Sequence, residues 1–419
     1  MNTSAPKQNL LIISQTYPWG KGEAFLEVEI TYLLKVFDRI FLLPYSQDNW
    51  QTRRTLPERV ILLEQMRPAN LPVWQLIKRG LFNFTSIAQF LGELWTDKRI
   101  FISWTNFEKW LRGVLTIRMV ISHYRLLKVV KREQIKIVYF YWGTPISGLA
   151  LFLRRAGAES VVRLHGGDLY SERAENRHYL PFRRILMRNV TVVLIVSKHG
   201  KKYLSSKYPS WAAKYKLARI GVGYEGTNQP SGDHILRTVT CSSLTPVKRL
   251  DLLIAALKFL KVPVEWTHIG DGPLKEELLA DLKTIPDNLK VRFLGQLNRE
   301  DLFEYYRTFP VDLFLNVSIS EGVPVSIMEA LSFSIPVIAT AVGGTAELVD
   351  DKVGKLIAAN INAVGLAATI TWFYNLPYKT KMQLRRNAFL RWQTRANAIV
   401  EFGKLQNLFR ELGARTEEC

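Results

Sequence analysis

Short apolar and β-branched runs alternate along this chain with longer stretches whose apolar positions recur at helical spacing. Leu10–Ser14, Ile40–Leu43, Ile137–Tyr141, Val161–His165 and Val192–Ser197 read as strands in the first half. Thr238–Ser242, Val264–Ile269, Val291–Leu294, Asp312–Val317 and Pro336–Thr340 do so in the second. Strands alternating with helices predict repeated βαβ units and parallel sheets. Between the two sets lies Glu225–Asp233, turn-rich, with two glycines, one proline and no apolar side chain to pack. The pattern therefore predicts an α/β chain of two doubly wound domains, 1–225 and 226–380; a helix over 381–419 is expected to follow and to pack back toward the first domain. Two such sheets facing each other would place a ligand cleft where strand carboxyl ends meet.

Residues 71–136 interrupt the rhythm with a long helical insertion. It holds ten aromatics, Trp74, Trp95, Trp104 and Trp110 among them, and twelve Lys/Arg against four acids. Rings beside cationic groups suit a membrane interface, where aromatics sit at headgroup depth and basic groups meet anionic lipid. Helices covering a sheet, with rings inward and charges in water, are the competing reading. Nucleic acid is set aside, because no helix-turn-helix, zinc-finger or RNP pattern accompanies the charge. The charge itself is lopsided. Of a formal +20 over 419 residues, 1–225 carry 35 Lys/Arg against 16 Asp/Glu, and 226–419 carry 22 against 21. An anionic surface is expected to meet the first half only.

Composition narrows the class further. Hydrophobic content of 47 % with 22 % charged residues excludes a mainly disordered chain. Cys241 and Cys419 give neither a disulfide framework nor a thiolate cluster, which fits a reducing compartment. No export signal is expected from Leu10–Ser14, which is too short for one. Leu356–Tyr378 is uncharged, but Asn360, Asn362, Gly365, Asn375 and Pro377 favour a loop followed by a buried helix over a membrane span.

The densest chemistry is the string Ser318-Ile-Ser-Glu-Gly-Val-Pro-Val-Ser-Ile-Met-Glu329-Ala330, followed by the strand Pro336–Thr340 and by Val342-Gly-Gly-Thr-Ala-Glu347. Ser318–Val323 reads as the exit loop of a buried strand, and Pro324 as the first residue of a helix. Unpaired amides at that helix start, with Gly322 allowing close backbone approach, make a site fit for a phosphate. Glu321 at the mouth and Glu329 about 7.5 Å further along the helix suit sugar hydroxyls. One would hold a ribose and the other a hexose, on either side of a diphosphate. A helix cap plus a solvated glutamate accounts for either residue alone, not for the whole string.

This string resembles the Glu-x7-Glu signature of retaining family-4 glycosyltransferases, which have the two-domain GT-B fold. Gln15-Thr-Tyr-Pro-Trp-Gly-Lys-Gly-Glu23-Ala-Phe-Leu-Glu is similar to the first-strand loop of a bacterial exopolysaccharide subgroup. Arg163-Leu-His-Gly-Gly-Asp-Leu-Tyr170, Cys241-Ser-Ser-Leu-Thr-Pro-Val-Lys-Arg249 and His268-Ile-Gly-Asp-Gly-Pro273 follow in the same order. The resemblance covers nearly the whole chain outside 50–135. It implies that Glu321 contacts donor-sugar hydroxyls, Glu329 the nucleotide ribose and Lys248 the diphosphate. The amides of Gly322 and Val323, before Pro324, would support the donor, and His165 would reach its sugar from across the cleft. Gly20 and Gly22 would let the first-strand loop approach the donor closely. Two departures stand out: Ser243 replaces an arginine of many relatives, leaving Arg249 as a candidate second charge, and Ser334 replaces a common glycine.

The resemblance implies a peripheral enzyme on the cytoplasmic face of the membrane. It would move sugar from a nucleotide sugar to a lipid-linked oligosaccharide acceptor for exopolysaccharide, capsule or lipopolysaccharide. Retaining transfer could use a covalent carboxylate intermediate or departure and attack on the same face. No obvious nucleophile is present, and it is the resemblance that implies same-face substitution. No Asp-x-Asp string occurs, so no metal and no further cofactor is expected. A GT-B sugar-nucleotide epimerase and a catalytically silent lipid- or nucleic-acid-binding scaffold are the alternatives.

Overall fold

The structure is a computed structural model that describes residues 8–20, 22–45, 53–63, 88–122, 125–173 and 176–417. The chain forms two compact units. One comprises Met1–Val196, Gly200–Ala218 and Phe402–Cys419, the other Ser197–His199 and Arg219–Glu401.

The first unit is built on seven parallel strands: β1 (Asn9–Ser14), β2 (Arg39–Pro44), β3 (Val60–Leu62), β4 (Ile135–Phe140), β5 (Glu159–Leu164), β6 (Val192–Ile195) and β7 (Tyr215–Leu217). Their order is β3-β2-β1-β4-β5-β6-β7. The second unit has six: β8 (Leu236–Cys241), β9 (Val264–Ile269), β10 (Leu289–Phe293), β11 (Leu313–Asn316), β12 (Val337–Thr340) and β13 (Gly354–Ile357), in the order β10-β9-β8-β11-β12-β13. All pairings are parallel; Leu10 sits opposite both Ile40 and Ile137, and Phe314 opposite Val239 and Val337. Central strands are buried on both faces, which is why they read as unbroken apolar runs. All ten expected strands are present. The three that the pattern does not announce, β3, β7 and β13, are sheet edges of three or four residues with half-exposed positions. Short edges are how sheets avoid pairing with other chains, and they leave too few residues for a period to be read.

The insertion splits its aromatics between the two readings. Residues 71–87, with Trp74, lie outside the described residues. Beyond them come helices Ala88–Thr96, Trp104–Ser122 and Leu126–Arg132, then β4, whose first residue Ile135 ends the insertion early. Phe90, Trp110, Val114 and Ile117 are buried in the first core. Trp95, Phe101, Ile102 and Trp104 are 60–86 % exposed.

Other boundaries differ from expectation. The chain passes between units at Ala218–Arg219, and the turn-rich stretch 225–233 lies inside the second unit. Buried Asn228 pins it there: its amide donates to the carbonyls of Tyr306 (2.6 Å) and Phe309 (2.8 Å), and its Oδ1 accepts from Val311 N (3.0 Å). In place of one terminal helix there are two, Tyr378–Arg395 and Ala398–Glu417. From Phe402 on the second belongs with the first unit, setting Phe402 against Tyr32 and Phe409 against Phe37 and Tyr139 at centroid distances of 5.0–5.6 Å. Leu356 and Ile357 end β13, and the helix after them, Ala363–Tyr374, is buried on one face only: Leu366, Ala367, Ile370 and Phe373 point inward, while Val364 and Trp372 are exposed. Among the described residues no helix is long and apolar enough to cross a membrane.

Pro324 is the N-cap, with extended ψ of 113°, and the helix begins at Val325. That helix, Val325–Ser332, ends at Ser334, whose φ is 63°. Ser334 N donates to Leu331 O and Ile335 N to Ala330 O, both at 3.0 Å. These two bonds define a Schellman motif, whose left-handed position favours glycine. Backbone sign, rather than size, is thus what a glycine would satisfy here. Ser334→Gly should stabilise the second unit by about 0.5–1 kcal/mol, the left-handed penalty less glycine's larger entropy loss. A thermal unfolding midpoint unchanged or lowered by the substitution would contradict this.

Candidate functional site

In the second sheet β8 and β11 lie side by side, and the chain winds away from them in opposite directions. Crossovers that diverge leave the carboxyl ends of the two strands uncovered, the usual ligand position in an open α/β sheet. Two loops meet there. One leaves β8 through the turn Pro246–Lys248; the other, 317–323, leaves β11 for the helix Val325–Ser332. Ile319 N donates to Val247 O (2.8 Å) and ties them together. Lys248 Nζ then lies 2.7 Å from Glu321 Oε1, with Asn316 Nδ2 3.4 Å from the same oxygen. The Glu321 side chain is 10 % exposed and that of Lys248 22 %, so the pair is partly desolvated yet reachable.

Glycines set the height of this loop. Gly343 has φ 52°, and a Cβ there would fall 1.9 Å from Glu321 O. Gly344 N donates to Gly322 O (2.7 Å). The glycine pair after β12 therefore seats the Glu321–Gly322 backbone, a role that spacing alone does not reveal. Above it, Gly322, Val323 and Pro324 lead into a helix whose first amides have no partner within the helix.

Arg249 does not supply a second charge beside Lys248. Its φ of 49° turns it away, and its guanidinium donates to Val317 O and Ala359 O, each at 2.8 Å. It is a strut between loops. Glu329, the fifth residue of the helix, is also apart from the pair: the groups that act on its carboxyl or feel it are Arg299, Cys241 and Tyr306.

The first unit has a matching reversal at β1 and β4. Glu23, buried and at φ 53°, accepts the successive amides of Gln15 (3.0 Å), Thr16 and Tyr17 (both 2.7 Å), and Trp142 Nε1 (2.6 Å). One carboxylate thereby joins the loops that leave the two strands. Arg54 clamps the same loop through Gly20 O and Gly22 O and pairs with Glu27 at 3.0 Å. Gly20 has φ 66°; an added Cβ would meet nothing there, so the turn itself demands glycine. Glu23 stands in a quoted motif but without a role, and nothing in the pattern points to Arg54.

His165 follows β5 and is buried. Its Nε2 donates to Tyr141 O (3.0 Å), its ring packs on Trp142 at 4.2 Å, and its backbone N donates to Asp168 Oδ1 (2.6 Å). Burial, with the Arg163 charge second, lowers it to about 3. Burial therefore favours the neutral imidazole near neutral pH. Next to it, at the switch point, opens a cavity of about 500 Å³ lined by Gln15, Tyr45, Trp142, Lys109, Arg112 and Thr116 among others.

Residues 233–391 match the family model described as glycosyl transferases, group 1. The amylovoran biosynthesis glycosyltransferase AmsK of Erwinia amylovora is 26 % identical over 246 residues, covering 56 % of this chain and 60 % of that protein. The putative colanic acid biosynthesis glycosyltransferase WcaL of Salmonella typhimurium is 28 % identical over 262 residues, covering 56 % and 61 %. The chain thus spans about three-fifths of the length of these curated relatives. Among solved structures, Anabaena Alr3699/HepE in complex with UDP and glucose aligns with a TM-score of 0.67 at 16 % identity, over 96 % of this chain and 100 % of that one. At that identity the likeness establishes the shared GT-B fold.

Glu329 gives a test that needs no substrate. Burial pushes its carboxyl from an ordinary 4.5 up to about 7. The folded state therefore pays a cost that is absent below pH 4.5, grows as pH rises to 7 and is constant above. Glu329→Gln removes the charge. The variant should melt with the wild type near pH 5 and above it at pH 8, by about 2–4 °C for each kcal/mol relieved.

Proposed function

We propose that this chain is a group 1 glycosyltransferase that moves a sugar, with retention, from a nucleotide-diphosphate donor to a saccharide acceptor in the building of a cell-surface polysaccharide. The observation that carries the reading is the Lys248–Glu321 pair at the β8/β11 switch point, beside the open amides of a helix start. A cation, a row of N–H donors and a carboxylate that cannot ligate phosphate suit the two halves of a nucleotide sugar. Lys248 and the amides around Gly322 and Val323 take the diphosphate. Glu321 accepts from hydroxyls of the transferred sugar, and Glu329, farther up the helix, from the ribose. Relatives named for amylovoran and colanic acid biosynthesis support the product class.

In the proposed reaction the bond from the sugar's anomeric carbon to the diphosphate oxygen breaks. The acceptor hydroxyl oxygen bonds that carbon on the same face, and its proton passes to the departing diphosphate. Lys248 stabilises charge that is largest as the bond breaks, so its contribution falls on turnover. Because that charge comes from a side chain, the step is assigned no divalent metal. The acceptor is assigned to the first unit, in the cavity lined by Trp142, Lys109 and Arg112. His165 and the clamped Gly20–Gly22 loop are assigned positioning roles. A lipid-linked acceptor met at the cytoplasmic membrane face agrees with the basic first half and its exposed rings.

Lys248→Ala and Glu321→Ala should each cut turnover by about a hundredfold or more, the scale of one lost charge-stabilising group, with melting temperature nearly unchanged. Radiolabelled transfer from a panel of nucleotide sugars to extracted lipid-linked acceptors measures this. An active Lys248→Ala enzyme would sink the diphosphate contact. Transfer should also persist in excess EDTA. Loss restored by magnesium or manganese overturns the metal-free assignment, and a wild type whose melting temperature ignores every nucleoside diphosphate overturns the donor site.

A further inference from the structure

Away from both switch points, the first unit carries a second, larger cavity of about 1050 Å³. Its walls come from three helices, Ala88–Thr96, Ala150–Arg155 and Arg183–Asn189, with Trp211 at one side. Four arginines line it: Arg154, Arg155, Arg184 and Arg188. All four are exposed. Arg154 Nη1 reaches Arg188 O at 3.5 Å and brings two of the helices together. Among the described residues the single acid in the lining is Glu93, which is buried and held up to about 8, first by burial and then by the Asp97 charge. Near neutral pH it cancels little of the arginine charge.

The helix that supplies Gly92, Glu93 and Thr96 to this groove also begins the exposed apolar ridge. Leu91 and Trp95, one turn apart on it, are 42 % and 86 % exposed, and the chain continues into Phe101, Ile102 and Trp104 at 60, 74 and 76 %. A solvated arginine face explains the groove alone, and a sticky patch explains the ridge alone. The arginines stand on two helices, the ridge starts on the third helix that walls the same groove, and together they match the two chemistries of a lipid surface. Guanidinium forks pair with phosphate, and indole rings settle at headgroup depth. A soluble polyanion would leave the ridge in water.

We propose that the groove of Arg154, Arg155, Arg184 and Arg188 is a docking site for the phosphate headgroups of an anionic bilayer, with Trp95, Phe101, Ile102 and Trp104 entering the interface beside it. This places the membrane contact on helices outside the sequence insertion as well as within it. It deepens the reading of a membrane-surface transferase and rests on it for purpose, not for evidence.

The test is co-sedimentation of the full chain with vesicles of phosphatidylcholine alone and of an equimolar mixture with phosphatidylglycerol. The wild type should pellet with the mixture only, and added salt should release it as the Debye length shrinks. Arg184→Glu with Arg188→Glu should weaken binding by at least about tenfold, given roughly a fivefold loss per basic group removed near an anionic leaflet. Trp95→Ala with Trp104→Ala should remove the part that survives salt. All four side chains are exposed, so wild-type circular dichroism is expected of both variants. Equal pelleting with both vesicle types overturns the proposal. So does full binding by the double arginine variant, or capture of a DNA duplex or inorganic phosphate by a protein that ignores vesicles. Melting shifts with nucleoside diphosphates, measured on the same samples, should be untouched by either variant. Their absence in the wild type would count against the transfer reading and leave the vesicle result to judge the groove.

Discussion

Right-handed crossovers between parallel strands make both units depend on one constraint. A chain winding outward in one direction drops its helices on one face of the sheet; when it returns and winds the other way, they land on the opposite face. Between the two strands where direction changes, no connection passes over the carboxyl ends. In this protein those strands are β1 with β4 and β8 with β11. Lys248, Glu321, Glu329, Gly20, Gly22 and Trp142 each follow one of these four strands or lie on the next helix, His165 sits one strand away, and Lys109 and Arg112 reach the first cavity from the helix Trp104–Ser122.

What holds those loops still lies underneath them. In the first unit Glu29 and Arg163, both with fully buried side chains, pair at 2.6 Å, and Tyr139 adds a bond to Glu29 at 2.9 Å. A buried ion pair adds little net stability over apolar packing, but removing one partner is expensive. The pair joins the helix Ala24–Leu33, which starts after Glu23, to β5, which ends before His165. It fixes the spacing between the two loops. In the second unit Trp266 Nε1 donates to Thr240 Oγ1 (2.9 Å), and that hydroxyl shares a second hydrogen bond with His268 Nδ1 (2.8 Å). Burial lowers His268 to about 4, which keeps the ring neutral. The chain of bonds ties β8 to β9 directly beneath the Lys248 loop.

Much of this was legible in the residues, because buried parallel strands write their own apolar runs. The run Asp312–Val317 followed by Ser318–Val323 marks a strand exit, and Glu321 and Lys248 are recognisable from the strings around them. What could not be read is what depends on contacts between distant segments. Arg249 adjoins Lys248 in sequence, yet a left-handed backbone sends its guanidinium to the carbonyls of Val317 and Ala359. Arg54 clamps Gly20 and Gly22 from more than thirty residues away. Asn228 turns a linker-like stretch into a pinned one through partners about eighty residues downstream. Ser334 looks like a tolerated small residue until its φ is known.

The helix Ala398–Glu417 packs Phe402 and Phe409 onto Tyr32, Phe37 and Tyr139, which belong to the opening helix and sheet of the first unit. On the ribosome those partners emerge with the whole second unit still to be made. During that interval the nascent first unit presents an uncovered aromatic seat, the kind of surface that recruits chaperones or aggregates. Synthesis order thus makes the second unit's elongation time the window in which the first is vulnerable. A stall anywhere between residues 219 and 401 leaves a folded sheet without its last cover.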